Sequence, residues 1–223
     1  MSLLWPRRRE EARRNVKLLL SSVSLNAMQA QALAELAGKQ PHDLKVALIT
    51  NGADPYGTPT PEWALKNHEV FGSSGFQVET VDLRKFRGKL PDLEKLLTSQ
   101  DVLWFGGGNT FYLRWLLKEV GADKLVVGLA ESGKVYGGDS AGAILAGPTL
   151  KYFEAADDPH AAPELIKDGL HLTEFVVVPH MDNEKYGAIV QQINEQLKAD
   201  KLTTVPLNDG QALVVNGSAR IVL

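Results

Sequence analysis

The sequence predicts one α/β domain in three layers: a mostly parallel sheet, helices on both of its faces, and an antiparallel addition at one edge. Three observations carry this. Short apolar runs alternate with longer helix-patterned segments four or five times along the chain. Two of those runs end directly in glycine loops, Gly106-Gly107-Gly108 and Gly137-Gly138, at the strand edge where open α/β sheets bind ligands. The C-terminal stretch carries strand patterns with no helix between them, as an antiparallel edge does.

Taken in order, residues 16–23 form a first strand, followed by a helix from about Asn26 to Ala37 that Gly38 ends. Residues 44–50 form a second strand. The segment 51–61, rich in Gly, Pro, Asp and Thr, is a loop at that strand's C-terminal end. Thr60 is placed to cap a helix that starts with Pro61 and Glu62 and runs to about Gly72. A third strand over 76–83, a short helix over 91–98 and a fourth strand over 101–105 lead into the first glycine loop. Helices over 111–120 and 123–132 precede a fifth strand at 134–136. Beyond it come a strand at 174–178, a helix over 183–197 and strands at 203–206, 211–215 and 219–222. With 223 residues, no repeat and no linker, a single domain 1–223 is expected.

Composition narrows the function. A hydrophobic fraction of 44% and a charged fraction of 23% are those of a globular enzyme. The formal net charge of −3 gives no reason to expect nucleic acid or an anionic membrane as a partner. The chain has no cysteine, which removes disulfides, thiolate metal sites and a cysteine nucleophile together. Arg7, Arg8 and Arg9 are followed by Glu10 and Glu11, and the next apolar run is short and holds Lys17, so no signal peptide is expected. No stretch approaches the roughly 18 apolar residues of a membrane helix. A cytoplasmic location and a homodimer are the expectations.

Gly138-Asp139-Ser140-Ala141-Gly142 matches G-x-S-x-G in the context that pattern needs, a strand before it and small residues opening a helix after it. The turn is sharp, so only small residues fit beside the serine, and the hydroxyl is lifted above the sheet. It also faces a helix N-terminus, whose free N–H groups favour a developing oxyanion. The bland alternative is a glycine-rich turn that only packs tightly. The loop Gly106-Gly107-Gly108-Asn109-Thr110 lacks the Gly-Lys-Ser/Thr of a Walker loop and the spacing of a dinucleotide fingerprint. It suits the second half of an oxyanion hole, with the amides of Gly108 and Ala141 as donors.

The serine needs a base. Of five histidines, His180 alone ends an apolar run, Phe175-Val176-Val177-Val178-Pro179, and so projects from a strand's C-terminal end as Ser140 does. The acid that orients it is Asp209, in a turn between two strands, or one of Asp157 and Asp158, which would give the order Ser–Asp–His; chain order does not decide.

Together these residues resemble the peptidase E family of serine dipeptidases, whose fold is related to class I glutamine amidotransferases. The resemblance rests on Gly107-Gly108-Asn109-Thr110, Gly138-Asp139-Ser140-Ala141-Gly142-Ala143, Pro179-His180 and Asp209-Gly210 in order, and extends from about Val16 to the C-terminus. It implies a class I glutamine amidotransferase-like fold, with Ser140 as nucleophile, His180 as base, Asp209 as the acid, Gly108 and Ala141 as oxyanion donors, and no metal or organic cofactor. Asn109 and Lys185 are the candidate substrate-binding residues. Members that cleave after aspartate need a cation for its side chain, and residues 181–192 offer only Lys185, beside Asp182 and Glu184. With Asp139, Glu154, Asp157 and Asp158 also near the site, the expectation is a weak aspartate preference and a carboxylate that binds the peptide's α-ammonium. The rival expectations are an esterase or cyanophycinase-like hydrolase on the same elbow, or a non-catalytic binding module.

Overall fold

The computed structural model describes residues 16–223, so the reading of the arginine-rich start lies outside the described residues. Nine strands are present among these residues: β1 (Lys17–Ser21), β2 (Lys45–Ile49), β3 (Gln77–Thr80), β4 (Val102–Phe105), β5 (Val135–Asp139), β6 (Phe175–Val178), β7 (Thr203–Pro206), β8 (Ala212–Asn216) and β9 (Ala219–Val222). The helices are α1 (Ala27–Ala37), α2 (Glu62–Ser73), α3 (Leu90–Thr98), α4 (Thr110–Glu119), α5 (Ala122–Glu131), α6 (Ala141–Leu145) and α7 (Gly187–Ala199).

Seven strands form one sheet in the order β3-β2-β4-β5-β1-β8-β9. The five strands from β3 to β1 are parallel, and β8 and β9 are added antiparallel at one edge. Both faces of the sheet's centre are covered, so β1, β2, β4 and β5 are buried along nearly their whole length, whereas the edge strands β3 and β9 are largely exposed. In β1, Leu18 and Leu20 enter one core while Leu19 enters the other, each burial contributing roughly 1.5–3 kcal/mol of transfer free energy. The same alternation places Phe105 and Tyr136 on the first face, their rings stacked at 5.0 Å, and Trp104 on the second, edge-on to Phe71 of α2.

Three local readings change. The strand at 203–206 does not join the antiparallel edge: β7 pairs in parallel with β6 in a separate two-stranded sheet. A parallel pair requires a crossover, and α7 supplies it. Thr60 does not cap α2, which has Pro61 at its N-cap position and no side-chain cap bond. A residue before proline is held extended, which leaves the Thr60 hydroxyl a residue too early. Part of the expected loop at 51–61 is a 3₁₀ segment, Asn51–Tyr56.

The parallel register aligns the site. Ser21 faces Asp139 across β1 and β5, Gly138 faces Phe105 across β5 and β4, and Phe105 faces Ile49 of β2. The C-terminal ends of β1, β4 and β5 therefore stop at one rim, where ligands bind in such sheets.

Candidate active site

Ser140 stands at that rim with φ 48° and ψ −109°, a backbone conformation that costs a side-chain-bearing residue about 1–3 kcal/mol. The turn closes only because its neighbours are small. A methyl group on Gly142 would lie 1.9 Å from the Phe105 carbonyl oxygen, so any side chain there would drive α6 off β4. Ser140 N–H donates to the Ser21 carbonyl at 3.0 Å, tying the elbow to β1.

Ser140 Oγ is 2.9 Å from His180 Nε2, and His180 Nδ1 is 2.8 Å from Asp209 Oδ1. The small β6–β7 sheet delivers both partners: His180 follows β6 with φ 66°, and Asp209 lies in the turn between β7 and β8. Of the three candidate acids, Asp209 is the one whose carboxylate meets the imidazole. Asp157 and Asp158 hold other contacts: Asp157 Oδ2 accepts from Thr110 N–H and Asp158 Oδ1 from His160 N–H.

Several groups hold the histidine arm in place. Ser22 Oγ accepts from His180 N–H at 2.8 Å and donates to Asp209 Oδ1 at 3.1 Å. Asn183 Nδ2 donates to Asp209 Oδ2 at 2.6 Å, and the buried Gln29 of α1 donates to the Gly210 carbonyl at 2.8 Å. Burial works to raise the Asp209 carboxyl, but hydrogen bonds from Asn183, His180 and Ser22 and the nearby imidazole outweigh it and hold it below the ordinary value.

The glycine loop is held as firmly. Gly106 N–H donates to Ile49 O, Gly107 N–H to Asp139 Oδ2, Asn109 N–H to Gly52 O and Thr110 N–H to Asp157. Gly108 alone in this run has no acceptor among the described residues for its amide, and neither does Ala141. At φ 126° Gly108 also sits so close to Gly52 that a Cβ would meet its carbonyl at 2.2 Å.

Gly108 borders a cavity of about 580 Å³, within the roughly 300–1,000 Å³ of small-ligand pockets, and Ala141 lies buried directly after Ser140 at its edge. Ser140, His180, Gly108, Asp157 and Lys185 line it, together with Tyr56 and Trp63, whose rings meet edge-on at 5.5 Å. The other four histidines do not line it. Asn109 does not line it either, and its expected role in substrate binding is corrected: it is buried, its Oδ1 caps α4 through Tyr112 N–H, and its Nδ2 donates to Asp158 O.

The expected negative field is narrower than the sequence suggests. Glu154 is paired with Lys167. Asp182 accepts from Asp209 N–H. The carboxylates that line the cavity are Asp139 and Asp157, and two lysines, Lys66 and Lys185, line it as well. Lys66 had no distinguishing mark in the sequence; it reaches the cavity only because α2 packs beside the elbow. Among the described residues no group of three or more His, Asp or Glu side chains is disposed to hold a metal ion, and no helix is long and apolar enough to cross a membrane.

The model of peptidase family S51 matches residues 19–223. An uncharacterised peptidase of Listeria monocytogenes is 34% identical over 146 residues, 65% of this chain and 70% of its own length. Peptidase E of Citrobacter koseri is 30% identical over 210 residues, 89% of this chain and 86% of its own. Among solved structures, a peptidase E candidate from Listeria monocytogenes superposes with a TM-score of 0.80 at 26% identity, covering 93% of this chain and 98% of that one. The fold is shared as well by a peptidase from an acI-B1 actinobacterium, with a TM-score of 0.71 at 16% identity over 94% of this chain and 87% of that one. The chain belongs to peptidase family S51 and is a serine-type peptidase.

Proposed function

We propose that this peptidase hydrolyses dipeptides or short peptides through an acyl-enzyme on Ser140. The observation that carries the proposal is the unbroken line of contacts from Ser140 Oγ through the imidazole to Asp209, at 2.9 and 2.8 Å. In the first half-reaction His180 Nε2 takes the Ser140 proton as Oγ attacks the scissile carbonyl carbon. The carbonyl π electrons move onto oxygen, and the Gly108 and Ala141 amides hold that oxyanion. On collapse the C–N bond breaks, and His180 returns its proton to the leaving amine. Water then repeats the sequence on the ester, restoring Ser140 and releasing the acid.

The cavity's charges support a zwitterionic substrate. Asp157 lines the cavity, and its Oδ2 is fixed at Thr110 N–H, two residues from the Gly108 amide. We propose that it receives the α-ammonium of a peptide whose carbonyl is held at Gly108, since both residues line the same cavity. Lys185 and Lys66 serve a substrate carboxylate. Because Asp157 lines the cavity together with the two lysines and an aromatic wall, we propose no strong demand for aspartate at the cleaved position.

Treatment with a fluorophosphonate probe followed by peptide mapping tests the nucleophile: label on Ser140 is expected, and an unlabelled native enzyme would overturn the mechanism. Comparing Asp-X with Leu-X and Ala-X dipeptides tests the specificity, and a strong preference for Asp-X would remove that part. Free and N-acetylated peptides compared side by side test Asp157, with the acetylated form expected to be the poorer substrate.

A further inference from the structure

The residue before the nucleophile has no part in the triad, yet it is placed as though the site were built around it. Asp139 is 7% exposed, among the buried polar residues of the chain. No Lys, Arg or His pairs with it among the described residues. Its carboxylate is instead satisfied by three N–H donors from three parts of the fold. Asn67 Nδ2 of α2 donates to Oδ1 at 2.6 Å, Trp104 Nε1 of β4 donates to Oδ1 at 2.9 Å, and Gly107 N–H donates to Oδ2 at 3.0 Å.

Each anchor is itself fixed. Asn67 Oδ1 accepts from Leu25 N–H, which ties α2 to the segment after β1. Trp104 is fully buried, and its ring fills the space left by Gly137 on the neighbouring strand, where a Cβ would lie 2.2 Å from the indole. The carboxylate thus ties the glycine loop to the core. Gly107 comes close enough that a Cβ there would stand 3.1 Å from Asp139 Oδ2 and 3.3 Å from Ser140 Cβ. With Gly107 N–H held by Asp139 and Asn109 N–H held by Gly52, the intervening Gly108 N–H is pinned on both sides and left without an acceptor of its own.

We propose that Asp139 is a positioning residue of the oxyanion loop: its buried carboxylate fixes the Gly107–Gly108 peptide relative to Ser140, so that the Gly108 amide is aimed at the oxygen of the tetrahedral intermediate. Without that bond the Gly106–Gly108 loop would lose that aim, because three successive glycines resist distortion less than other residues do. The aim matters since an oxyanion donor stabilises charge in proportion to how little it must reorganise. A carboxylate suits the task because its two oxygens accept from the core and from the loop at once. The amide of asparagine has only one acceptor oxygen and must release one side.

The inference rests on the reading of Ser140 as nucleophile, which probe labelling of the wild-type enzyme decides separately. The test compares Asp139→Asn, Trp104→Phe and Asn67→Ala in the full chain, with kcat and KM on a good dipeptide and the inhibition constant of a peptide boronic acid. The boronate's tetrahedral adduct places a charged oxygen in the oxyanion hole. Asp139→Asn is expected to lower kcat about 10²–10³-fold, the loss typical of one oxyanion donor, with KM changed less than threefold. The boronate should weaken in step with kcat/KM across the series, as an interaction made only in the transition state requires. Trp104→Phe keeps the ring packing and the Gly107 bond and should cost about tenfold in kcat. A folded Asp139→Asn enzyme with kcat within threefold of wild type overturns the proposal, as does a loss confined to KM. If Asp139→Asn does not fold, Trp104→Phe decides: kcat and boronate affinity both unchanged would overturn it equally.

Discussion

Ser140 lies between two carboxylates that the fold treats in opposite ways. On the histidine side, Asp209 sits in a surface turn, 30% exposed, and its hydrogen bonds with His180, Asn183 and Ser22 hold it below the ordinary carboxylate value. On the oxyanion side, Asp139 is enclosed. Burial raises its carboxyl, and the bonds from Trp104, Gly107 and Asn67 do not offset that. One acid keeps its charge in order to orient and stabilise an imidazolium. The other serves as a bracket whose worth lies in its two acceptor oxygens. The difference teaches that one serine can stand between two carboxylates of opposite balance: hydrogen bonds outweigh burial at Asp209, and burial outweighs them at Asp139.

The contrast can be broken by substitution. Ser140→Ala sets the scale, with kcat expected to fall about four to six orders of magnitude while circular dichroism and thermal unfolding stay near wild type. Asp209→Asn should come next, at about 10⁴-fold in kcat, because the amide favours the wrong imidazole tautomer. A loss there no larger than that of Asp139→Asn would erase the distinction between the arms. Ser22→Ala removes one hydroxyl that serves both the His180 backbone and Asp209, and a loss of about two- to tenfold in kcat is expected from hydrogen bonds of this kind.

The smallest effect is on stability, and its sign separates the two acids. For Asp209 the folded carboxyl is lowered, so its contribution is present above the ordinary 3.8 and is lost as the pH falls through the lowered folded value. For Asp139 the folded carboxyl is raised, so its contribution is present below 3.8 and is lost as the pH rises through the raised folded value. Denaturant unfolding across the acid range should therefore show Asp209→Asn flattening the loss of stability at low pH and Asp139→Asn flattening a loss that runs the other way. Slopes of the same sign in the two variants would contradict the assignment.

Much of this was legible in the chain. The alternation of apolar runs with helical patterns located the strands of the sheet, most sharply the central ones, because burial on both faces leaves a dense apolar signature there. The G-x-S-x-G elbow was legible because its glycines answer to contacts a few residues or one strand away. His180 was legible because a histidine at the end of a buried strand has one edge to project from. Asp209 stayed level with Asp157 and Asp158, since all three lie in loops whose direction no local pattern encodes. The misplacement of the strand at 203–206 has a similar origin: its edge-like polarity is the same whether its partner is β6 or the main sheet.

Residue types and spacing by themselves determined the layers, the serine elbow and the glycine loop, since those depend on local sterics and on periodicity. Only the tertiary structure decided what long-range packing brings together. Asn67 and Trp104 meet Asp139, Ser22 bridges His180 and Asp209, Lys66 reaches the cavity, and Asn109 turns away from it to cap α4. Each of those outcomes depends on where one element lies across another, and hydrogen bonds between residues far apart in the chain leave no mark on the sequence that either partner occupies.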